Sequence, residues 1–214
     1  YNKSGNLILT ASPNSSSSLS EEIGGECSVS VSFTHTQFVM LDVDCYIEIE
    51  GVRYKIKSGY RPKQKNTQTY EYNVKFYAPI HDAEDTLMLF MEGGTTSEFT
   101  FDGSPREHLQ LWIDNMNRTA GSELWSIGTV ITSDNKSITY QKAKCWDAAF
   151  GSNGIAATFD TEMWADGYVI NLCKASRGEI VELGYMQGLT NLAPEDNGEI
   201  KFFTRLFPLG STRN

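Results

Sequence analysis

The sequence has no long apolar run and no closely spaced cysteines. Its longest apolar run, "TLMLFM" at residues 86–91, is far shorter than the roughly 20 residues of a membrane-spanning helix. The four cysteines are Cys27, Cys45, Cys145 and Cys173, and no two of them form a CxxC pair. This spacing argues against a zinc ribbon or a redox motif. We therefore expect four buried, unpaired thiols, as in a protein of a reducing compartment.

Positive charge is also scarce. The 214 residues hold 18 Lys and Arg against 27 Asp and Glu, which gives a formal net charge of −9 and an isoelectric point near 4.8. Because nucleic-acid binding requires Lys and Arg to replace the phosphate counterions, this balance argues against it. An acidic surface instead repels phosphate. The same balance also suits an ordinary soluble acidic domain.

The sequence motifs of common catalytic and nucleotide-binding sites are absent. There is no GxSxG nucleophile elbow, no phosphate-binding loop and no GxGxxG. The three histidines, His35, His81 and His108, share no metal-ligand spacing with a cysteine or with one another. We place His35 in a turn between strands, His81 in a polar loop, and His108 on a helix but outside its apolar face.

Two acidic groups carry side chains that could perform chemistry, and each has a simpler structural explanation. The segment "HDAED" offers cation ligands, but it lacks the glycine and the terminal glutamate of an EF-hand loop. We favour a solvated acidic loop for its polar residues, which are His81, Asp82, Glu84 and Asp85. The other group is Glu179 and Glu182, which flank an apolar run. A solvent-facing strand edge is favoured there over an acid/base pair.

Two further groups also favour a structural role. Cys145-Trp146-Asp147 resembles the surroundings of a thiol nucleophile, but no histidine lies near it in the sequence. The one basic cluster, "RPKQK" with Arg61, Lys63 and Lys65, has no interleaved aromatic residues. It favours a charged hairpin tip, or a contact to an acidic neighbour, over a nucleic-acid site. We therefore assign no catalytic, cofactor-binding or metal-binding residue, and expect neither a cofactor nor an enzyme.

The aromatic residues leave two alternatives open. They occur in two groups, either of which could line a carbohydrate groove. The first group is Tyr70, Tyr72, Phe76 and Tyr77, and the second is Trp146, Trp164 and Tyr168. Because the strand and helix periods around them are regular, packing in a core is the favoured alternative.

The first 90 residues have the pattern of antiparallel strands. "CSVSVSF" alternates strictly between apolar and serine positions, and so does "TYEYNVKFY" between apolar and polar positions. Between them, Glu50-Gly51 separates two alternating runs and predicts a hairpin. The acidic residues of its first strand would face the basic residues of the second. These patterns predict a small antiparallel barrel or sandwich.

The middle of the chain changes to a helical pattern. "SPREHLQLWIDNMNR" has Ser104 as the N-cap, Pro105 at the first helical position and Glu107 completing a capping box. Its apolar face consists of Leu109, Trp112, Ile113 and Met116. A second, weaker helix is predicted over "CWDAAFGSNGIAATF", although Gly151 and Gly154 disfavour its continuity. The strand "SITYQKAKC" precedes it, and a hairpin with its turn at Asp166-Gly167 follows it.

The predicted fold class is α+β. An N-terminal antiparallel β-barrel or sandwich domain, residues 1–94, is followed by a mixed α+β domain with two helices and β-hairpins, residues 95–196. Residues 197–214 would begin a third β element. Its strand-like run at 202–209 breaks at Gly210, and we expect it to continue into further chain that supplies its pairing partners.

The order of several segments resembles the N-terminal half of the phage tail hub, or tail-associated (baseplate hub-like), protein family, as found in prophages of gut bacteria. The segment "VSVSFTHTQFVMLDVDCYIEIEGVRYKIKSGYRP" is similar to that family's barrel opening, which has a strand, a polar stretch and then a hairpin. "TYEYNVKFYAPIHDAEDTLM" is similar to its next long strand and short helix. "SPREHLQLWIDNMNR" and "CWDAAFGSNGIAATFDTEMWADGYVINL" resemble its helix and its later hairpin segment. "RLFPLGSTRN" is the most distinctive match, and in the family it leads into the next domain.

The resemblance implies a structural protein of the virion. Such hubs are homotrimers whose barrel domains form a ring that caps the tail tube at the tail tip. Their partners are the distal tail proteins, the tail tube and the tape-measure protein, and DNA passes without specific binding. The location would be the tail tip, and the host cytoplasm during assembly, with no membrane contact. The alternative is a secreted or surface β module that binds carbohydrate or protein, with an exposed aromatic cluster and no ring. A cell-wall hydrolase fragment is a weaker third alternative.

Overall fold

Antiparallel strands form the first part of the chain. The computed structural model describes residues 1–174, 184–185 and 188–189. The strands of the first sheet are β1 (Ser18–Glu21), β2 (Cys27–His35), β3 (Tyr46–Ile49), β4 (Val52–Lys55), β5 (Lys63–Asn66) and β6 (Thr69–Tyr77). They pair in the order β1-β2-β6-β4-β3, and β5 also pairs with β6. Within the described residues, no pairing of β1 with β3 closes this sheet into a barrel.

The apolar positions of β2 and β6 lie opposite each other in the register, which explains why these long strands pair. Val29 faces Phe76, and Phe33 faces Tyr72. The rings of Phe33 and Tyr72 stack with their centroids 4.5 Å apart. Cross-strand apolar pairs of this kind are the main source of sheet stability. Phe33, Tyr72 and Phe76 form the first apolar core together with Leu41, Cys45, Ile56 and Val74. Val29 is buried as well, so the predicted inward faces of both strands are confirmed.

The hairpin predicted at Glu50-Gly51 is also confirmed. Ile49 pairs with Val52, so Glu50 and Gly51 form the two-residue turn, and both have positive φ angles of 51° and 81°. Turns with positive φ match the twist of the flanking strands. The expected pair of opposite charges is present, with Glu48 Oε2 3.7 Å from Arg53 Nε. Both side chains are about half exposed, so this pair adds little stability.

After β6, a 3₁₀ helix (Pro79–Glu84) and β7 (Glu98–Gly103) lead into α1 (Pro105–Ala120). The prediction for α1 is confirmed in detail. The Ser104 side chain accepts a hydrogen bond from the Glu107 N–H, and the Glu107 carboxylate accepts one from the Ser104 N–H. Gly121, with a φ of 68°, ends the helix in the left-handed conformation. The four predicted apolar residues of its inner face are all buried.

The predicted second helix is two short helices, α2 (Cys145–Phe150) and α3 (Ile155–Thr158). The chain reverses tightly between them, and the Gly154 N–H donates to the Gly151 carbonyl. A Cβ on Gly151 would lie 2.5 Å from the Asp147 carbonyl oxygen, and one on Gly154 would lie 2.9 Å from two carbonyl oxygens. The predicted helix therefore breaks at the two glycines that disfavour its continuity, because only glycine fits this close approach of the backbone.

The remaining strands form smaller sheets. Their bounds are β8 (Ser126–Val130), β9 (Lys136–Gln141), β10 (Met163–Asp166) and β11 (Val169–Leu172). β9 pairs with β7, and the hairpin β10–β11 adds β8 as a parallel neighbour that the sequence patterns missed. The predicted hairpin is confirmed, but its turn lies one residue later, at Gly167-Tyr168, because Asp166 pairs with Val169. These elements enclose the second apolar core, around Trp112, Met116 and Ile170.

The chain is therefore α+β, with mostly antiparallel sheets and three short to medium α-helices among the described residues. Residues Tyr1–Ala175 form one compact unit, and Ser176–Asn214 fall in a second. In the second unit, two-residue strands β12 (Gly184–Tyr185) and β13 (Gly188–Leu189) pair in parallel. The predicted domain boundaries at 94–95 and 196–197 stay predictions. The strand predicted at 202–209 and the edge predicted at Glu179 and Glu182 lie outside the described residues.

Candidate functional site

A cleft of about 640 Å³ lies in the first unit. One wall consists of the β1–β2 turn and the β3–β4 hairpin, where Ile23 and Ile49 contribute apolar side chains. The opposite wall consists of Trp146 and Phe150 on α2 and Trp164 on β10. The rings of Trp146 and Phe150 pack against each other with their centroids 4.6 Å apart. The walls are therefore apolar and come from elements far apart in the sequence.

The polar lining of this cleft is acidic. Four carboxylates line it, those of Glu21, Glu22, Glu50 and Asp166, and no Lys, Arg or His lines it. In the part of the chain that the structure describes, none of these four side chains forms an ion pair or a side-chain hydrogen bond. We call this cavity the acidic cleft. Its unpaired negative charges make it attractive to cations and repulsive to phosphate.

The negative potential acts on a neighbouring side chain. Burial raises the pKa of the Tyr54 hydroxyl above its usual value, and the charges of Glu21 and Glu50 raise this pKa further. Tyr54 itself lines the acidic cleft. Its hydroxyl therefore stays protonated at neutral pH and is available as a hydrogen-bond donor or acceptor.

His81 supports Trp146 from behind the cleft. The 3₁₀ helix carries His81, whose Nε2 accepts a hydrogen bond from the Cys27 N–H at 3.1 Å. Its Nδ1 lies 2.6 Å from the Glu84 carboxylate, and its ring stacks on Trp146 at 5.0 Å. Because Nε2 uses its lone pair as an acceptor, the proton must be on Nδ1. The lone pair is therefore occupied, and in this arrangement His81 cannot act as a base toward the Cys27 thiol.

The prediction of a solvated loop for "HDAED" was wrong for the backbone and for His81, whereas Asp85 is exposed as predicted. These residues belong largely to the 3₁₀ helix, and His81 is buried, with only 4% of its surface exposed. Two lysines of the first sheet hold the carboxylates: Lys55 Nζ lies 2.8 Å from Asp82, and Lys57 Nζ lies 2.6 Å from Glu84. Burial raises the pKa of the Glu84 carboxyl, but the hydrogen bonds from Lys57 and His81 together outweigh it, so this pKa lies below its usual value. The polar residues of this segment therefore join two parts of the fold.

His108 lies on α1 as predicted, but the prediction that it lies outside the apolar face was wrong. It is fully buried, although it lies beside the predicted apolar face of α1. Nε2 donates a hydrogen bond to the Lys136 carbonyl at 2.9 Å, and Nδ1 accepts one from the Tyr140 hydroxyl at 3.1 Å. Burial lowers the pKa of His108, while the Lys136 carbonyl acts in the opposite direction. The position of His108, four residues before Trp112, indicates its burial, because residues i and i+4 share a helix face. Its hydrogen-bond partners could not be predicted, since they lie on β9.

The cysteines differ in exposure. Cys45 and Cys145 are buried as expected, whereas Cys27 and Cys173 are partly exposed, and all four are free. Burial raises the pKa of the Cys145 thiol to about 12, which makes it a poor nucleophile at neutral pH. Its Sγ lies 3.9 Å from the Met88 sulfur. Within Cys145-Trp146-Asp147, the cysteine is therefore packed in the core, and the tryptophan lines the wall of the cleft.

The aromatic groups separate into two roles. Tyr72 and Phe76 are buried in the first core, and Tyr70 packs against it. Trp146 and Trp164 both line the acidic cleft, while Tyr168 packs edge-on against Trp125, with the ring centroids 5.5 Å apart. The core alternative therefore holds for the first group. Two members of the second group face a cavity, as the groove alternative expects.

The basic cluster lies on the surface. Lys63 and Lys65 are exposed on β5, which pairs with β6. The guanidinium of Arg61 lies 5.7 Å from the centre of the Phe38 ring. His35, at the end of β2, accepts a hydrogen bond from the Gln37 N–H. None of these groups lies at the acidic cleft.

The carboxylates of the acidic cleft were missed by the sequence patterns. They come from three separate turns, and no local spacing connects them. The available indication was that Glu50 and Asp166 sit at hairpin turns, where an acidic residue is usually explained by the turn itself. Among the described residues, no group of three or more His, Cys, Asp or Glu is arranged to hold a metal ion. No described helix has both the length and the apolar character needed to cross a membrane.

Comparisons of the chain with models of protein families, with curated proteins and with solved structures found no match.

Proposed function

We propose that this chain is a structural subunit of a phage tail tip, a baseplate-hub-like protein that caps the tail tube and forms a ring for DNA passage. The structural observation that carries the proposal is the open first sheet. Neither of its edge strands, β1 and β3, pairs with a further strand among the described residues. Only Tyr46, at the start of β3, is covered, because it exchanges two backbone hydrogen bonds with Tyr1. An open edge invites pairing with another chain, and a closed ring of subunits resolves this problem.

Apolar side chains on these edges support the same proposal. Leu19 on β1 is 56% exposed, and Ile49 on β3 is 37% exposed. Edge strands that face only water usually carry lysine, proline or a bulge instead. The β2–β3 connection adds Phe38, Met40 and Val43, each of which is about half exposed. We define these three residues as the apolar loop, and assign it to the contact between subunits.

The remaining parts of the proposal follow from the resemblance of the sequence segments. The protein would be a homotrimer in which the first sheets close into barrel-like units around a lumen. Its partners would be the distal tail proteins, the tail tube and the tape-measure protein. A net charge of −9 suits a conduit through which DNA passes without binding. The protein would act in the virion tail tip, and would be assembled in the host cytoplasm without an enzymatic step or a cofactor.

Assembly of the purified protein tests this proposal. We expect a mass of three times 23.9 kDa by light scattering, and rings with a central hole by negative-stain electron microscopy. The triple variant Phe38→Ser, Met40→Ser, Val43→Ser should shift the mass to that of one chain. The control is Met91→Ser, which removes an equally exposed apolar side chain outside the apolar loop. A monomer at every concentration, identical in all three proteins, would contradict the proposal.

One observation favours a second candidate, a surface module that binds carbohydrate or protein. It is the presence of Trp146 and Trp164 in the acidic cleft. This candidate requires no ring, so the same light-scattering experiment separates the two. A monomer that retains ligand binding in the cleft would support the second candidate.

A further inference from the structure

We infer that the acidic cleft is a docking site for an extended segment of another protein, one that alternates basic and apolar side chains. The inference does not depend on the ring, because a monomeric module would have the same cleft. It rests on the charge of the cleft, on the shape and chemistry of its walls, and on the free strand beside it.

The charge selects a cationic occupant. Glu21, Glu22, Glu50 and Asp166 line the cleft without a cation among its lining residues. The lysines of β4 and of the segment that follows it, Lys55 and Lys57, are engaged elsewhere, because they pair with carboxylates of the 3₁₀ helix. The four carboxylates therefore have no internal counterion. A lysine or arginine side chain from another molecule would supply one.

The walls select an apolar occupant in addition. Leu19, Ile23 and Ile49 line the cleft and are each exposed to solvent by more than a third of their surface. Exposed aliphatic side chains around a cavity are typical of protein contacts. Burying them against an aliphatic or aromatic side chain removes apolar surface from water. A small inorganic cation would leave these side chains exposed, so it does not fit the whole cleft.

The aromatic residues favour a peptide over a sugar. A sugar binds by stacking on an open aromatic face, but His81 already stacks on Trp146 at 5.0 Å, and Phe150 packs against the same indole. In addition, the strand β1, which contributes Leu19 and Glu21 to the lining, has exposed residues throughout and no outer partner among the described strands. Only a polypeptide could use this free edge, by adding a strand to it.

Fluorescence anisotropy of labelled peptides tests the inference. The probe is a seven-residue peptide that alternates lysine with phenylalanine or leucine. Two matched peptides replace either the lysines by glutamate or the apolar residues by serine, and a tetramer of N-acetylglucosamine is the competing sugar. We expect saturable binding of the probe, with each matched peptide at least about tenfold weaker. Raising the NaCl concentration should weaken binding of the probe further, because salt screens exposed charges.

Substitutions then locate the site. The double variant Glu21→Gln, Glu50→Gln removes two charges and should weaken binding of the probe about tenfold. Ile23→Ser should weaken it through the loss of an exposed apolar contact. The charge control is Asp134→Asn with Glu123→Gln, and the apolar control is Met91→Ser; these positions are exposed and outside the cleft. Both controls should bind as the wild type does.

Three results would overturn the inference. The first is the absence of saturable binding of the probe at millimolar concentration. The second is binding that the cleft variants and their controls weaken equally, because the site would then lie elsewhere. The third is displacement of the probe by the sugar together with tighter binding of the sugar, which would assign the cleft to carbohydrate.

Discussion

The buried imidazole of His108 shows how a single residue makes this fold sensitive to pH. It donates to the Lys136 carbonyl, accepts from the Tyr140 hydroxyl, and lies between the rings of Phe101 and Phe159. A second proton would go on Nδ1, where it would face the Tyr140 hydroxyl in an apolar surrounding. Burial therefore lowers the pKa of His108, although the Lys136 carbonyl and nearby carboxylates oppose this effect.

The lowered pKa predicts a loss of stability on mild acidification. Below pH 6.5, the ordinary pKa of histidine, the unfolded chain binds a proton that the folded chain resists, so the unfolded state is favoured as the pH falls toward the folded-state pKa. The free energy of unfolding should fall by up to about 1.4 kcal/mol per pH unit in this window. Urea unfolding between pH 7.5 and 5.5 measures it.

A substitution separates the contribution of His108 to this pH dependence from the contributions of the other titratable residues. His108→Gln retains a donor and an acceptor but cannot be protonated, so its unfolding free energy should change less with pH in the same window. The control is His35→Gln, at the partly exposed end of β2. If His108→Gln keeps the wild-type pH dependence, the lowered pKa of His108 is not its cause.

At the scale of elements, the break between α2 and α3 predicts a position where alanine is harmful. The backbone of Gly154, with a φ of −78°, is one that alanine can adopt. Its Cβ, however, would lie within 3.0 Å of the carbonyl oxygens of Asp147, Ala148 and Gly151. Gly154→Ala should therefore lower the free energy of unfolding by about 1–3 kcal/mol.

Chemical denaturation of Gly154→Ala beside Gly59→Ala checks this prediction. A Cβ on Gly59 would meet its nearest neighbour at 3.8 Å, which is ordinary contact, so that control should stay within about 0.5 kcal/mol of the wild type. Equal losses in the two variants would mean that the close approach at Gly154 is not what matters.

The elements that the sequence predicts are those with local causes. Ser104, Pro105 and Glu107 begin α1 within four residues, and the Glu50-Gly51 turn sets the register of β3 and β4 through neighbouring positions. Such features depend on short-range geometry and are visible as patterns.

The 3₁₀ helix and the acidic cleft have distant causes instead. His81 is buried because Cys27 and Lys57, which lie 54 and 24 residues away, bond to it. The cleft arises from turns that only the folded chain brings together. No spacing in the sequence encodes either one, so α1 and the hairpins could be predicted whereas the candidate site could not. The proposed function rests on segment resemblance and on open strand edges.

At the scale of the whole molecule, a polar contact joins the two apolar cores. His81 accepts from the first residue of β2, pairs with Glu84 and stacks on Trp146 of α2. Lys57 Nζ, from the segment that follows β4, donates to the His81 carbonyl and to Glu84, both at 2.6 Å. The first core is thus linked to the second through this buried group, in addition to the partly buried apolar neighbours.

This linkage predicts how the molecule unfolds, and the tryptophans provide a selective probe. Trp112 and Trp125 lie in the second core, Trp146 packs against it and Trp164 lines the acidic cleft, so none of the four tryptophans lies in the first core. Tryptophan fluorescence therefore follows mainly the second core, through Trp112 and Trp125, whereas far-UV circular dichroism follows both. In the wild type the two thermal transitions should coincide, as expected for one cooperative unit. In His81→Ala, the Cys27 N–H loses its partner, the Glu84 carboxylate keeps only Lys57, and Trp146 loses its stacking ring. The first sheet should then melt earlier than the second core, so the dichroism transition should begin below the fluorescence transition.

His35→Ala, which removes a histidine outside the contact, should keep the two transitions together. If they also stay together in His81→Ala, at a lower common midpoint, the apolar neighbours alone are sufficient to couple the cores, and the polar contact adds stability without cooperativity.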